Sequence, residues 1–558
     1  MKGISIFIVA LFFVFGAFCQ KESKKEVADV VLFNGMIWTV NPDMPWAEGV
    51  ALKENKILKV GLTSEIKGHV GEKTKFIDLK GSFVLPGLID CHTHFLDGGF
   101  SLSSVQLGNA RTKQDLIARI GQKAEELGKG EWILRGNWDH QQFDPVELPR
   151  KEWIDAVTPD NPVCVNRHDG HMALVNSLAL KLSGVTKDMP SPEGGEILKD
   201  PLTGEPTGIL KDAAMDLVMN HIPEPSLEER LRAVEAGLAH AKSQGVTSIH
   251  DMEYTSSFEV YKKLLEQNKL TARLYVYVPI SEIELLSEHR LSQPLQSNFL
   301  RIAGLKGFVD GSLGSSTALF FDPYTDDPTK KGLMASDMFP EGIMEKRLME
   351  ADLVGLQVAI HAIGDKANHI ILDLFEKVIN ANVDRDRRWR IEHVQHILPE
   401  DIERMSTLRI IASVQPYHAV DDGRWAEKKI GKKRAGYTYA FRSLLDEGII
   451  LACGSDWTVA PLDPLTGIFA AVTRQTLDGK NPGGWIPGQK ITIEEAIKGY
   501  TLHAAYTEFA EHQKGSVEEG KFADLVVLDQ NLFEIPPEKI LETKVLMTIL
   551  NGQIIYQK

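Results

Sequence analysis

Apolar and polar residues alternate along this chain with two different periods. From Val27 to about Leu85 they change places at every second position, in runs such as Val30-Val31-Leu32-Phe33, Val50-Ala51-Leu52 and Ile57-Leu58-Lys59-Val60, broken by Asn34-Gly35 and further glycines. A period of two puts successive side chains on opposite faces, so these runs predict short strands of a small sheet. The same texture returns near the other end, in Leu525-Val526-Val527-Leu528 and from Val545 to Leu550 before Asn551-Gly552. The shared texture predicts two halves of one small β domain, residues 20–86 and 508–558, with a larger unit, residues 87–507, between them.

Within that unit short β-branched runs alternate with helical stretches, the pattern of parallel βα repeats. Eight runs stand out: Leu88–Asp90, Val246–Ile249, Leu274–Val278, Ile302–Phe308, Leu356–Ile360, Trp389–Ile391, Ile410–Val414 and Ile449–Ala452. Eight predict an α/β fold, a (β/α)8 TIM-like barrel, in which active-site residues sit at the C-terminal ends of the strands. Residues from about 111 to 225 exceed that count and hold their own apolar run, Pro162-Val163-Cys164-Val165. They predict a subdomain inserted between the first and second barrel strands. Glycines and prolines punctuate it from Pro190 to Gly208, where loops covering a pocket belong.

The opening residues follow neither period. After Met1-Lys2, Ile4 to Phe18 is almost unbroken apolar sequence, which suits the core of a signal peptide and is short for a membrane span. Gly16-Ala17-Phe18-Cys19 followed by a charged run from Lys21 resembles a bacterial lipoprotein processing site, although Phe18 stands where a small residue is usual. Export is therefore expected, with residues 1–19 as the signal segment. Cys19 is either lipid-anchored or close to an ordinary cleavage.

Composition narrows the partners. Lys and Arg number 62 against 77 Asp and Glu, a formal net charge of −15. Such a surface repels phosphate backbones, and no basic patch offsets it, so nucleic-acid binding is not expected. Four cysteines in 558 residues do not make a disulfide framework. Cys91, Cys164 and Cys453 each lie in an apolar run and read as buried thiols.

The chemistry gathers where the barrel strands end. The first runs into Asp90-Cys91-His92-Thr93-His94, whose two histidines project to one side, as two imidazoles sharing a metal must. The fourth carries Lys306, the fifth ends in Ile360-His361, the sixth in Glu392-His393, and the eighth in Cys453-Gly454-Ser455-Asp456. Each has an ordinary explanation taken singly: a core histidine, a helix-capping Asp456, a Lys306 that snorkels or pairs with Asp310. Together those explanations do not account for six such residues falling at strand C-termini.

These motifs resemble the amidohydrolase superfamily, most closely its amidohydrolase-3 branch, which includes N-substituted formamide deformylases. The resemblance rests on Pro86 to His94, Lys306 to Gly314, Ile360 to Asp365, Arg390 to His393 and Gly454 to Trp457, and it covers nearly everything after the signal segment. It implies that the two β ends of the chain form one composite β-sandwich, and a binuclear centre in which His92, His94 and Asp456 hold one divalent ion, and His361 and His393 the other. Lys306, carboxylated by CO2, would bridge both, since an ammonium has no lone pair to offer. Zinc suits the ligand set, with manganese and iron as alternatives. The implied reaction is hydrolysis of a non-peptide C–N bond, in an amide, formamide or cyclic amide. Metal-activated water attacks the carbonyl, and Asp456 serves as general base and then acid.

The expected partner is a small-molecule substrate. Arg167 to Met172 resembles a family motif whose last histidine faces the pocket, which makes His171 a substrate contact, with an ordinary surface loop as the alternative. His418 could meet the oxyanion or a polar substrate group, or be a solvated loop residue. Trp457 could wall the pocket or pack the barrel. Esterase or lactonase chemistry on the same site, and a non-catalytic exported binding protein on the same scaffold, are the competing functions.

Overall fold

The computed structural model describes residues 26–252, 255–284 and 297–558; the expected leader and Cys19 lie outside them. Eight strands follow one another in chain order through one sheet. They are β1 (Leu88–Thr93), β2 (Val246–Met252), β3 (Arg273–Pro279), β4 (Leu300–Phe308), β5 (Gln357–Ala362), β6 (Arg390–His393), β7 (Ile411–Val414) and β8 (Leu451–Cys453). Every neighbouring pair is parallel. The sheet curls until its ends meet: Thr93 and Trp457 form a parallel bridge, Asp456 N–H donates to the His92 carbonyl (2.7 Å), and His94 N–H donates to the Trp457 carbonyl (2.7 Å). This is the nearly closed parallel barrel that eight runs predict.

Helices cover the outside of the strands. Helix Leu227–Ser243 starts at Ser226, whose hydroxyl accepts from Glu229 N–H while the Glu229 carboxylate takes Ser226 N–H. That reciprocal cap satisfies two end groups of the helix. Its buried face is Ala233, Val234, Gly237, Leu238 and Ala241, spaced by three and four residues. Helix Asp365–Ala381 buries Ala367, Ile371, Leu372, Phe375 and Val378 in the same way. Each large aliphatic or aromatic side chain so buried contributes roughly 1.5–3 kcal/mol. With helices outside and side chains filling the interior, strands such as β5 are buried on both faces.

Three further sheets surround the barrel. A six-stranded sheet joins the two ends of the chain, because Leu525–Leu528 pairs antiparallel with Phe83–Pro86. It faces a four-stranded sheet across a core that includes Leu32, Val50, Val84, Leu525 and Ile549. The third sheet, five strands between Ile133 and Asp212, lies between β1 and β2 in sequence and has its own core around Trp138, Val165, Leu174 and Ile209. Cys91, Cys164 and Cys453 are buried free thiols.

Candidate metal centre

The seam between β8 and β1 sets the first contacts. A Cβ on Gly454 would lie 2.6 Å from His92 N and 2.8 Å from Asp90 Oδ1, so a side chain there would push the strands apart. Asp90 staples the seam by accepting N–H bonds from Ser455 (2.8 Å) and His92 (3.2 Å). Asp456 follows with φ of 60° and His393 with φ of 77°, both left-handed and uncommon for residues with a Cβ. Such conformations cost about 1–3 kcal/mol and persist where the surroundings impose them, often at functional sites. In β6 a regular alternation would point His393 away from Glu392. The positive φ breaks it, and the His393 ring comes to rest 4.9 Å from that of His92 and 4.5 Å from that of His361.

Asp456 is the focus of the cluster. Its Oδ1 lies 3.6 Å from His92 Nε2 and 3.4 Å from His94 Nε2, and its Oδ2 lies 3.9 Å from His393 Nδ1. Oδ1 is sealed from solvent and accepts no hydrogen bond. Donor atoms of His92, His393 and Asp456 all fall within 4.8 Å of one another. A buried carboxylate oxygen without a hydrogen-bond donor, facing imidazole nitrogens, has the donor set that suits a divalent cation.

The histidines fit that reading one by one. His92 gives its Nδ1–H to Glu392, His94 its Nδ1–H to the Met252 carbonyl (3.1 Å), His361 its Nε2–H to the Gly311 carbonyl (3.1 Å), and His393 its Nδ1–H to Gln415 Oε1 (2.7 Å). Four rings are thus each anchored at one nitrogen by an acceptor, which leaves the other nitrogen with a lone pair, the arrangement typical of metal-ligating histidines. Burial holds His92 down to about 4, with the Lys306 charge adding to the effect, and drives His361 and His393 well below the usual imidazole range. These three are neutral, as ligands must be, whereas His94, although burial opposes its charge, is raised above the usual imidazole value by the Asp456 carboxylate. Burial opposes the charge on Asp456, yet the surrounding imidazoles keep its carboxyl well below the usual range.

Lys306 Nζ lies 3.4 Å from His92 Nε2, and burial lowers it to about 8 against the pull of Glu392 and Asp456. Asp310, its neighbour on the same motif, serves the backbone instead. It accepts from Leu319, Ile363 and Gly364 N–H (2.7, 3.0 and 2.9 Å), which ties the end of β4 to the end of β5.

A cavity of 540 Å³ opens above this group, lined by His94, Lys306, His361, His393 and Asp456 from the barrel and by Arg167 to His171 and Asp212 from the five-stranded sheet. His171 faces it, with Nδ1–H on Asp212 Oδ1 (2.6 Å) and its ring 5.1 Å from His361. His418 also lines it: Gln395 Nε2–H donates to His418 Nδ1 (3.3 Å), so the proton sits on Nε2, which is 3.9 Å from Asp456 Oδ2 and unpartnered. Trp457 is not on this wall. It packs against Phe95 and His240 (5.7 and 5.5 Å between rings) and borders an adjoining 330 Å³ cavity. A second trio, Asp139, His168 and Asp421, also gathers its donor atoms within 4.8 Å. Arg167 and Arg424 already neutralise its carboxylates.

Sequence reasoning gave no role to Glu392, Gln395 or Gln415. Glu392 carried a signal, because it shares the inward face of β6 with Arg390. The two glutamines carried none.

A nearly closed parallel barrel with imidazoles, a lysine and a carboxylate at its strand ends defines the metal-dependent hydrolases of the amidohydrolase superfamily. Residues 75–556 match the Amidohydrolase family model Amidohydro_3, and the chain belongs to that family. It is 40% identical over 543 residues to Protein LONG AFTER FAR-RED 3 of Arabidopsis thaliana, covering 95% of this chain and 92% of that one. It is 26% identical over 548 residues to the N-substituted formamide deformylase of Arthrobacter pascens, covering 96% and 99%. An uncharacterized metal-dependent hydrolase from Pyrococcus horikoshii OT3 superposes with a TM-score of 0.74 at 29% identity, covering 91% of this chain and 99% of its own.

Proposed function

We propose that this chain hydrolyses a non-peptide C–N bond, in an amide, formamide or cyclic amide of a small molecule. The observation that carries the reading is the row of four histidines, each anchored at one nitrogen, with His92 and His94 facing an Asp456 carboxylate oxygen that has no donor and His361 packed against His393. His92, His94 and Asp456 would hold one divalent ion, His361 and His393 a second, with zinc the ion that suits these donors. Bound there, such ions supply Lewis acidity, polarising a carbonyl and acidifying water.

The chain's own residues do the rest. A lysine near 8 is about one-tenth neutral amine at pH 7. That neutral nitrogen would add to CO2 and lose a proton, giving a carbamate whose oxygens would serve as metal ligands where the ammonium cannot. Asp456, ionised and aimed at the cluster, accepts a proton and passes it to the leaving nitrogen. His418 offers Nε2–H to the carbonyl oxygen, and His171, backed by Asp212, holds a polar group of the substrate. The N-substituted formamide deformylase among the relatives supports formamides as the first substrates to try.

The test is a panel of N-substituted formamides, simple amides and cyclic amides given to the zinc-loaded protein. Hydrolysis that Asp456→Asn abolishes supports the reading. Turnover equal in both proteins, or none on any member of the panel, contradicts it.

A further inference from the structure

The interior of this barrel is charged where branched apolar residues are the rule. Below the candidate metal centre, Lys514 Nζ contacts Glu508 Oε2 (2.6 Å), and His250 Nε2 contacts Glu508 Oε1 (2.8 Å). Arg390 Nη1 donates to His250 Nδ1 (2.9 Å), and the same guanidinium grips both oxygens of Glu392. Glu392 then takes the Nδ1–H of His92. None of the five residues from Lys514 to Glu392 is more than 5% exposed.

Burying two ion pairs costs several kcal/mol per ion before their attraction is counted, and apolar side chains of similar volume often serve stability as well or better. The direction of each bond shows what this chain does instead. Arginine can only donate, so His250 Nδ1 must accept and its proton must sit on Nε2, where Glu508 receives it. With Nη1 committed to His250, the remaining guanidinium nitrogens are free to hold Glu392 and the Cys91 carbonyl (2.6 Å). That carbonyl belongs to the residue before His92. Arg390 therefore fixes both the backbone next to His92 and the carboxylate that selects its tautomer. Glu508 and Lys514, supplied by the segment that leaves the last barrel helix, fix Arg390 through His250.

We propose that this buried chain is a positioning device for His92, and that Glu508 and Lys514 set how tightly the centre holds its metal without touching it. The inference rests on the metal-site reading above. Glu392 is the nearest positioning residue and the Glu508–Lys514 pair the most remote.

The experiment compares zinc dissociation constants, by competition with a chromophoric chelator, for the full chain and its variants, each with a thermal unfolding curve. Glu392→Gln is expected to weaken zinc binding about 10–100-fold, the usual cost of losing an outer partner of a histidine ligand. Glu508→Leu with Lys514→Met, an apolar pair of similar volume, is expected to fold and to weaken zinc about 2–30-fold. Should that pair not fold, Glu508→Gln, which keeps the shape and removes the charge, serves in its place with the same expectation. A purely structural chain would move the unfolding midpoint and leave the dissociation constant within twofold of the unaltered protein, which overturns the proposal. Failure of the unaltered protein itself to bind zinc overturns the metal-site reading, and this inference with it.

Discussion

Asp456 concentrates three constraints in one residue: a left-handed backbone, a carboxylate oxygen without a donor, and imidazole nitrogens on two sides. Asparagine there keeps an oxygen of the same shape but accepts no proton at neutral pH. Asp456→Asn is therefore expected to lower turnover of a hydrolysed formamide by about 10²–10⁴-fold, the range of a general acid–base group, in a protein whose circular dichroism is unchanged. At this scale the sequence exposes the proposed metal ligands, because their residue types are unusual at the ends of apolar strands. It hides what orients them. Two of the four acceptors that anchor the histidines are backbone carbonyls, of Met252 and Gly311, and a carbonyl has no residue type to read.

At the level of elements, the seam between β8 and β1 is the tightest point of the site. Gly454→Ala places a Cβ against His92 N and Asp90 Oδ1, both held by the strand ladder and its staple. An overpacked contact of that kind costs about 1–3 kcal/mol, to be read as a lower midpoint of chemical unfolding, and it is expected to weaken zinc as well because His92 and Asp456 ride on the two strands. All eight barrel strands were legible as apolar runs, and β4 and β7 end at Phe308 and Val414 as their runs do, but the C-terminal limits of the other six were not. The run Leu88–Asp90 continues as strand to Thr93, and Trp389–Ile391 to His393. Hydrophobicity stops where the candidate site begins, whereas backbone pairing carries on through its polar residues.

Over the whole molecule, contacts distant in sequence decide what local pattern cannot show. The hydrogen bonds that Ser312 and Ser315, which follow β4, donate to Asp169 (2.9 Å from Ser315) bring the five-stranded sheet onto the barrel mouth. No periodicity reports them. The same holds for Glu508, which follows the last barrel helix and reaches back under β2. Burial works against its charge, but Lys514 and His250 pull its carboxyl down to about 2 from 4.5. Because the folded value lies below the unfolded one, the stability it contributes is complete above about pH 4.5 and is lost as pH falls toward 2. The difference is on the order of 3 kcal/mol. Glu508→Gln is thus expected to flatten the acid side of the stability profile between those limits, measured by chemical unfolding at stepped pH. A profile as steep as that of the unaltered protein would place the titration elsewhere.

The central claim is a metal centre bridged by Lys306, and a count of metal per chain tests it most directly. Protein purified without chelator or affinity metal, refilled with zinc and bicarbonate and measured by elemental mass spectrometry, is expected to hold about two equivalents, as two-metal hydrolases do. Lys306→Ala is expected to hold far less. No metal in either protein after refilling, or a content that Lys306→Ala leaves unchanged, would contradict the bridged centre.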